Sequence, residues 1–137
     1  MYYPIGLIAG SFDLIHPGYV KMFKESKENC AYLIVALQDD PTIDRPNKCK
    51  PVQTFDERKE ILQSIRYVDE VIRYSTEVEL ENLLSSTIHD VRILGADYLE
   101  KPFTGDFLNK HVYYCKRNHG YSLTALKKKI AISMGNL

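Results

Sequence analysis

The segment Gly10-Ser11-Phe12-Asp13-Leu14-Ile15-His16-Pro17-Gly18-Tyr19 gathers a glycine, a carboxylate, an imidazole and a phenol within ten residues. These are groups that can hold a phosphate. A glycine lets the backbone pass close to a ligand. Pro17 suits the first turn of a helix. His16 then stands at a helix N-terminus, whose free N–H groups and partial positive charge favour an anion. Tyr19 lies three residues on and shares a face with His16. Asp13 can orient a ligand or cap its own turn. A lone glycine and histidine would describe an ordinary strand-to-helix turn. The full string, set after a strand and before a helix, is far more specific.

Two later segments have related character. In Leu94-Gly95-Ala96-Asp97-Tyr98, Asp97 can bind a substrate, a ribose hydroxyl or a magnesium ion, or serve as a plain turn aspartate. Further on, Arg117 and Gly120 precede Ser122, a good N-cap for the last helix.

The elements that must position these residues are legible as short apolar runs alternating with helical patterns. Strands are expected at Ile5–Ala9, Tyr32–Leu37, Glu70–Arg73, Val91–Leu94 and Val112–Cys115. Helices are expected at Pro17–Glu28, after Thr54, at Glu77–Ser86 and over Ser122–Met134, with a helical turn at Gly105–Asn109. Thr54 and Glu57 form a capping box. Asp39 to Pro51 holds three prolines and reads as a long loop. Right-handed crossovers turn this order into an α/β fold, a Rossmann-like doubly wound sheet of about five parallel strands. All 137 residues are expected to form one domain. Ligands then belong at the carboxyl ends of the strands, where the three segments fall.

The first segment resembles the G-T/S-F-D-x-x-H-x-G-H string of the cytidylyltransferase family within the nucleotidyltransferase superfamily. Arg66-Tyr67-Val68-Asp69-Glu70-Val71-Ile72 resembles that family's R-Y-V-D-E-V-I segment, Gly95 to Tyr98 its G-x-D-W/Y turn, and Arg117 to Thr124 its R-T-E-G-I-S-T-T segment. The resemblance covers nearly the whole chain. It implies transfer of a cytidylyl group from CTP, with magnesium, to a small phosphorylated acceptor, and a homodimer. It places His16, Tyr19, Lys50 and Arg117 at the chemistry. It assigns Gly10, Ser11, Phe12, Gly18, Arg117, Gly120, Ser122 and Thr124 to the nucleotide. Asp13, Lys50, Arg58 and Asp97 fall to the acceptor.

The acceptor phosphate is largely dianionic at neutral pH, because its second pKa is ~6. No protein base is needed. Catalysis is then positioning and charge stabilisation during in-line attack. Among the departures from the pattern, two touch phosphate contacts. Tyr19 stands where the family has a second histidine, so a neutral O–H replaces a group that can be cationic. Leu123 replaces a threonine. Three readings follow: an active cytidylyltransferase, a nucleotide-binding protein without catalysis, and an adenylyltransferase. The first is favoured because the phosphate-binding segments are complete.

Composition limits the alternatives. Eighteen basic and eighteen acidic side chains balance to zero, which argues against bulk nucleic-acid binding. The longest apolar run, Tyr32 to Leu37, is far short of a membrane helix, and the N-terminus has no signal-peptide pattern. Cys30, Cys49 and Cys115 read as isolated thiols of a cytoplasmic protein, with no zinc spacing. His89, His111 and His119 read as surface residues, and Lys127-Lys128-Lys129 as a solvated helix face.

Overall fold

The computed structural model describes residues 2–135. Five strands form one sheet: β1 (Tyr3–Gly10), β2 (Cys30–Gln38), β3 (Glu70–Tyr74), β4 (Val91–Gly95) and β5 (His111–Cys115). Their spatial order is β3-β2-β1-β4-β5, and every neighbouring pair is parallel. Four helices connect and follow them: α1 (Pro17–Glu28), α2 (Phe55–Ser64), α3 (Glu77–Ser86) and α4 (Leu123–Ser133). Short 3-10 turns lie at Pro41–Ile43, Ala96–Tyr98 and Asp106–Leu108.

The chain runs outward from β1 to β3, then returns across the sheet to β4. The order therefore reverses between β1 and β4, and a crevice opens above their carboxyl ends. β1 begins two residues earlier than its apolar run suggests, at Tyr3. Pro4 is tolerated there because pairing with β4 begins only at Gly6.

Alternating side chains fill two cores. Ile8, Leu33, Val35, Leu37, Val91 and Ile93 pack with Phe23 of α1 and Leu62 of α2 on one face. Leu7, Ile34 and Ala36 pack with Leu80 and Leu84 of α3 on the other. The Thr54–Glu57 capping box is formed, and Thr76 with Glu79 builds a second one that starts α3. His89 departs from expectation: it is buried between α3 and β4, its Nδ1 2.8 Å from the Thr87 carbonyl. α4 buries none of its residues. No helix of the described residues is long and apolar enough to cross a membrane.

Candidate active site

A cleft of about 1300 Å³ opens at the carboxyl edge of the sheet. Gly10, Ser11, Phe12, Asp13 and Tyr19 line one wall. Gly95 ends β4 and Asp97 and Tyr98 lie just beyond it, while Arg117, Leu123 and Thr124 approach from the end of the chain.

The wall after β1 is held tightly. Phe12 and Leu14 adopt left-handed backbone, with φ of 44° and 49°. For bulky residues this costs of order 1–3 kcal/mol each and needs support from the surroundings. Asp13 supplies it. Its buried carboxylate accepts from the Val52 and Gln53 amides at 2.8 and 3.0 Å. The Gln53 side chain in turn accepts from the Leu14 amide at 3.1 Å. Asp13 thus serves the loop, and its oxygens are engaged before any ligand arrives.

Arg58 corrects an expectation. It is 1% exposed and does not line the cleft. Its guanidinium donates to the carbonyls of Gln53 at 3.2 Å, Ser11 at 2.8 Å, Gln38 at 2.6 Å and Asp39 at 2.5 Å. It ties the ends of β1 and β2 to the loop before α2. The reason is its place on the buried stripe of α2, one turn before Leu62. A substrate cannot reach it.

His16 is the N-cap of α1. Its Nδ1 accepts from the Gly18 amide at 3.1 Å, which leaves Nε2 as the ring's donor. Burial lowers the His16 pKa, and the charges of His119 and Arg117 lower it further. The ring is therefore neutral at pH 7. Tyr19 stacks on it with centroids 4.1 Å apart, and meets Phe12 edge-on at 5.4 Å. Burial and the Asp13 charge raise the Tyr19 pKa, against the opposing effect of Arg117, so the phenol keeps its proton. Gly18 is required by space: a Cβ there would stand 2.8 Å from carbons of both His16 and His119.

The opposite side is looser. Arg117 donates to the Tyr121 carbonyl at 3.3 Å and stands 3.8 Å from Asp97, both side chains being well exposed. Ser122 caps α4 by accepting from the Ala125 amide at 3.0 Å, which leaves its O–H free to donate. Lys50 is exposed beside Asp40 at 4.0 Å and does not line the cleft, whereas Lys48 does. His16, Gly18, Gly120 and Ser122 also stand outside the lining, each within three residues of one that belongs to it.

Two groups escaped the sequence reading. Lys127 and Lys128 line the cleft rather than a solvated face. Their spacing from Thr124, three and four residues, was a usable signal. His119 packs beside Gly18 and His16, a juxtaposition that only the fold creates. Among the described residues, no three His, Cys, Asp or Glu side chains cluster to hold a metal.

A doubly wound parallel sheet with a tightly held loop at its switch point is an α/β fold of the kind that takes ligands at that edge. Residues 7–133 match the family described as cytidylyltransferase-like, and the chain belongs to that family. Glycerol-3-phosphate cytidylyltransferase of Bacillus subtilis (strain 168) is 38% identical over 89% of this chain and 93% of its own length. The bifunctional protein HldE of Gluconacetobacter diazotrophicus is 37% identical over 69% of this chain, but this spans only 19% of that relative. Among solved structures, the lipopolysaccharide core biosynthesis protein from Thermoplasma volcanium GSS1 shares the fold, with a TM-score of 0.69 at 23% identity, over 85% of this chain and 99% of that one.

Proposed function

We propose that the protein transfers the cytidylyl group of CTP to a small phosphorylated alcohol or sugar. The carrying observation is the locked loop after β1, which faces Arg117 and Thr124 across one cleft in a chain of this family. Magnesium bound with CTP would neutralise part of the triphosphate charge. Asp97, exposed at the cleft and 3.8 Å from Arg117, would face the acceptor or that metal. Arg117, Thr124 and the Ser122 O–H hold the β- and γ-phosphates. The acceptor's phosphate oxygen attacks the α-phosphorus in line. The new P–O bond forms as the bond to the β-phosphate breaks, and pyrophosphate leaves.

The protein's part is electrostatic. His16, neutral, donates from Nε2 to the α-phosphate. The Tyr19 O–H donates a second hydrogen bond in place of a cationic partner. Lys50, exposed beside Asp40 and outside the cleft lining, is given to the acceptor phosphate by the family resemblance alone. The reading includes a homodimer through the open sheet edge at β3 and the Arg66–Asp69 segment before it, testable by sedimentation, and a cytoplasmic location where CTP is made.

Pyrophosphate release from CTP and from ATP, measured with a panel of phosphorylated alcohols and sugars, tests the activity. Product with CTP is expected. Tyr19→Phe is expected to lose ~10²-fold in kcat, the usual loss for one oxyanion donor. Equal rates for wild type and Tyr19→Phe would remove the hydrogen-bond role. Product only in Tyr19→His would leave a nucleotide-binding protein. Preference for ATP would make the chain an adenylyltransferase.

A further inference from the structure

Arg92 is a buried cation without an ion-pair partner among the described residues. It stands on β4 between Val91 and Ile93, which point into the α1 and α2 core. Strand alternation therefore sends Arg92 to the α3 face. It is only 6% exposed. One Nη donates to the Thr104 carbonyl at 2.7 Å, and the guanidinium carbon lies 5.5 Å from the centre of the Phe103 ring. Its Nε has no partner. Among the described residues no carboxylate comes within ion-pair distance of it. Arg58 shows how this fold satisfies a buried guanidinium it uses structurally. Arg92 is left short.

Two further buried side-chain atoms lack partners: Arg45 Nε and Glu77 Oε2. These two residues pair with each other at 2.8 Å through their other atoms. Among the described residues, the three unpartnered atoms all belong to residues lining the same cleft, where Tyr74 and Tyr98 stand with them. Native proteins leave few such atoms, and a cluster of them asks for a ligand. The Arg45–Glu77 pair is partly exposed and has Asp44 beside it, the Glu77 amide donating to that carboxylate at 2.8 Å, whereas the more deeply buried Arg92 has no ion-pair partner and supplies the cationic donor. The cluster therefore suits an anion, with Glu77 Oε2 free to accept from a hydroxyl beside it.

We propose that this end of the cleft is a specificity subsite for the acceptor. It takes a second anionic group, a carboxylate or phosphate, at the end of the acceptor remote from its reacting phosphate. The assignment to the remote end follows from the fold. His16 and Tyr19 belong to the α1 side, where the α-phosphate must be met, whereas Arg92 rises from the α3 side. This inference deepens the transferase reading and rests on it for the word acceptor. It would make the preferred substrates phosphorylated sugar acids or bisphosphates rather than simple polyol phosphates.

The test is calorimetry on the full chain saturated with CTP, using matched probes. Glycerol 3-phosphate is compared with 3-phosphoglycerate, and glucitol 6-phosphate with 6-phosphogluconate. Fructose 1,6-bisphosphate separates phosphate from carboxylate. The member carrying the second anion is expected to bind about 10–100-fold tighter. Arg92→Met is expected to abolish that advantage while CTP affinity stays unchanged. Methionine replaces a buried charge with similar volume, so the fold is expected to survive. Arg92→Lys retains the charge but not the fork and is expected to keep only part of the advantage. Glu77→Gln is expected to weaken the hydroxylated probes by several-fold. Equal binding within each pair, an advantage that survives Arg92→Met, or binding of none of the probes would overturn the subsite. Discrimination without pyrophosphate release would retain the subsite and remove the transferase reading instead.

Discussion

The turn after β1 and the turn after β5 both present groups to one cleft, yet they are built on opposite terms. The first is finished before any ligand binds. Asp13 ties it to the Val52 and Gln53 amides, Arg58 donates to its Ser11 carbonyl, aromatic rings of Phe12 and Tyr19 wedge it, and two left-handed residues are held in place. The second is sparse. Arg117 is half exposed, its links are a long bond to Tyr121 and a distant Asp97, and the helix it introduces buries no residue. The difference assigns the labour. Transition-state contacts need fixed geometry, because orientation is where positioning catalysis gains its rate. Triphosphate contacts need charge that can open for entry and close on the bound anion.

Removing one arginine from each side should separate the two most widely. Arg58→Met strips donors from four carbonyls, and buried acceptors left unsatisfied cost ~1–3 kcal/mol each. With relaxation and partial rehydration, a loss of about 3–5 kcal/mol is expected in urea unfolding. Arg117→Met should move stability by no more than ~0.5 kcal/mol, as for an exposed side chain. It should instead raise the KM for CTP about tenfold through lost charged hydrogen bonds. If both variants unfold at the wild-type midpoint, the first turn is not held by Arg58 as described.

The glycines sharpen the contrast at smaller scale. Gly18→Ala pushes a methyl into two imidazoles at 2.8 Å, while a Cβ at Gly120 meets nothing within 4 Å. Overpacking of this kind typically costs ~1–3 kcal/mol. Gly18→Ala should lose stability in that range and displace His16 from its cap, with a fall in kcat. Gly120→Ala should be close to neutral on both counts. A neutral Gly18→Ala would mean that the His16–His119 contact yields freely.

The same contrast explains what could be read from the chain. Strand and helix positions were legible because apolar runs and capping patterns are local, as Thr54 with Glu57 shows. The first turn was legible as a string because its residues are contiguous. The role of Arg58 was not. Its four acceptors lie 5 to 47 residues away, and burial on the α2 stripe turns a charged residue into a structural one. His119 and Arg92 were hidden for the same reason: nothing in their sequence neighbourhood shows that one would meet Gly18 and the other would be buried beneath the cleft with its Nε unpartnered. Lys127 and Lys128 are a different case. Their spacing from Thr124 was in view, but a run of three lysines reads as solvated unless the helix is known to border the cleft.

Acid should expose the tightly built side with the smallest effect. Burial lowers the pKa of His16, with the His119 and Arg117 charges adding to it, and burial is also the chief cause of the lowering at His89. A histidine held below its unfolded value of about 6.5 takes up its proton more readily in the unfolded chain. Its contribution to stability is therefore complete above pH ~6.5 and is lost as the pH falls through the lowered folded value. Urea midpoints measured from pH 8 to 5 should be flat at the alkaline end and decline toward the acid end. His16→Asn should flatten part of that decline and His89→Asn another part. Activity should fall in the same window, because protonating Nδ1 of His16 removes the acceptor for the Gly18 amide and opens the start of α1. An acid limb equally steep in wild type and in the double variant would show that neither ring is held neutral by the fold, and with it the claim that the first turn is finished before the ligand arrives would lose its electrostatic half.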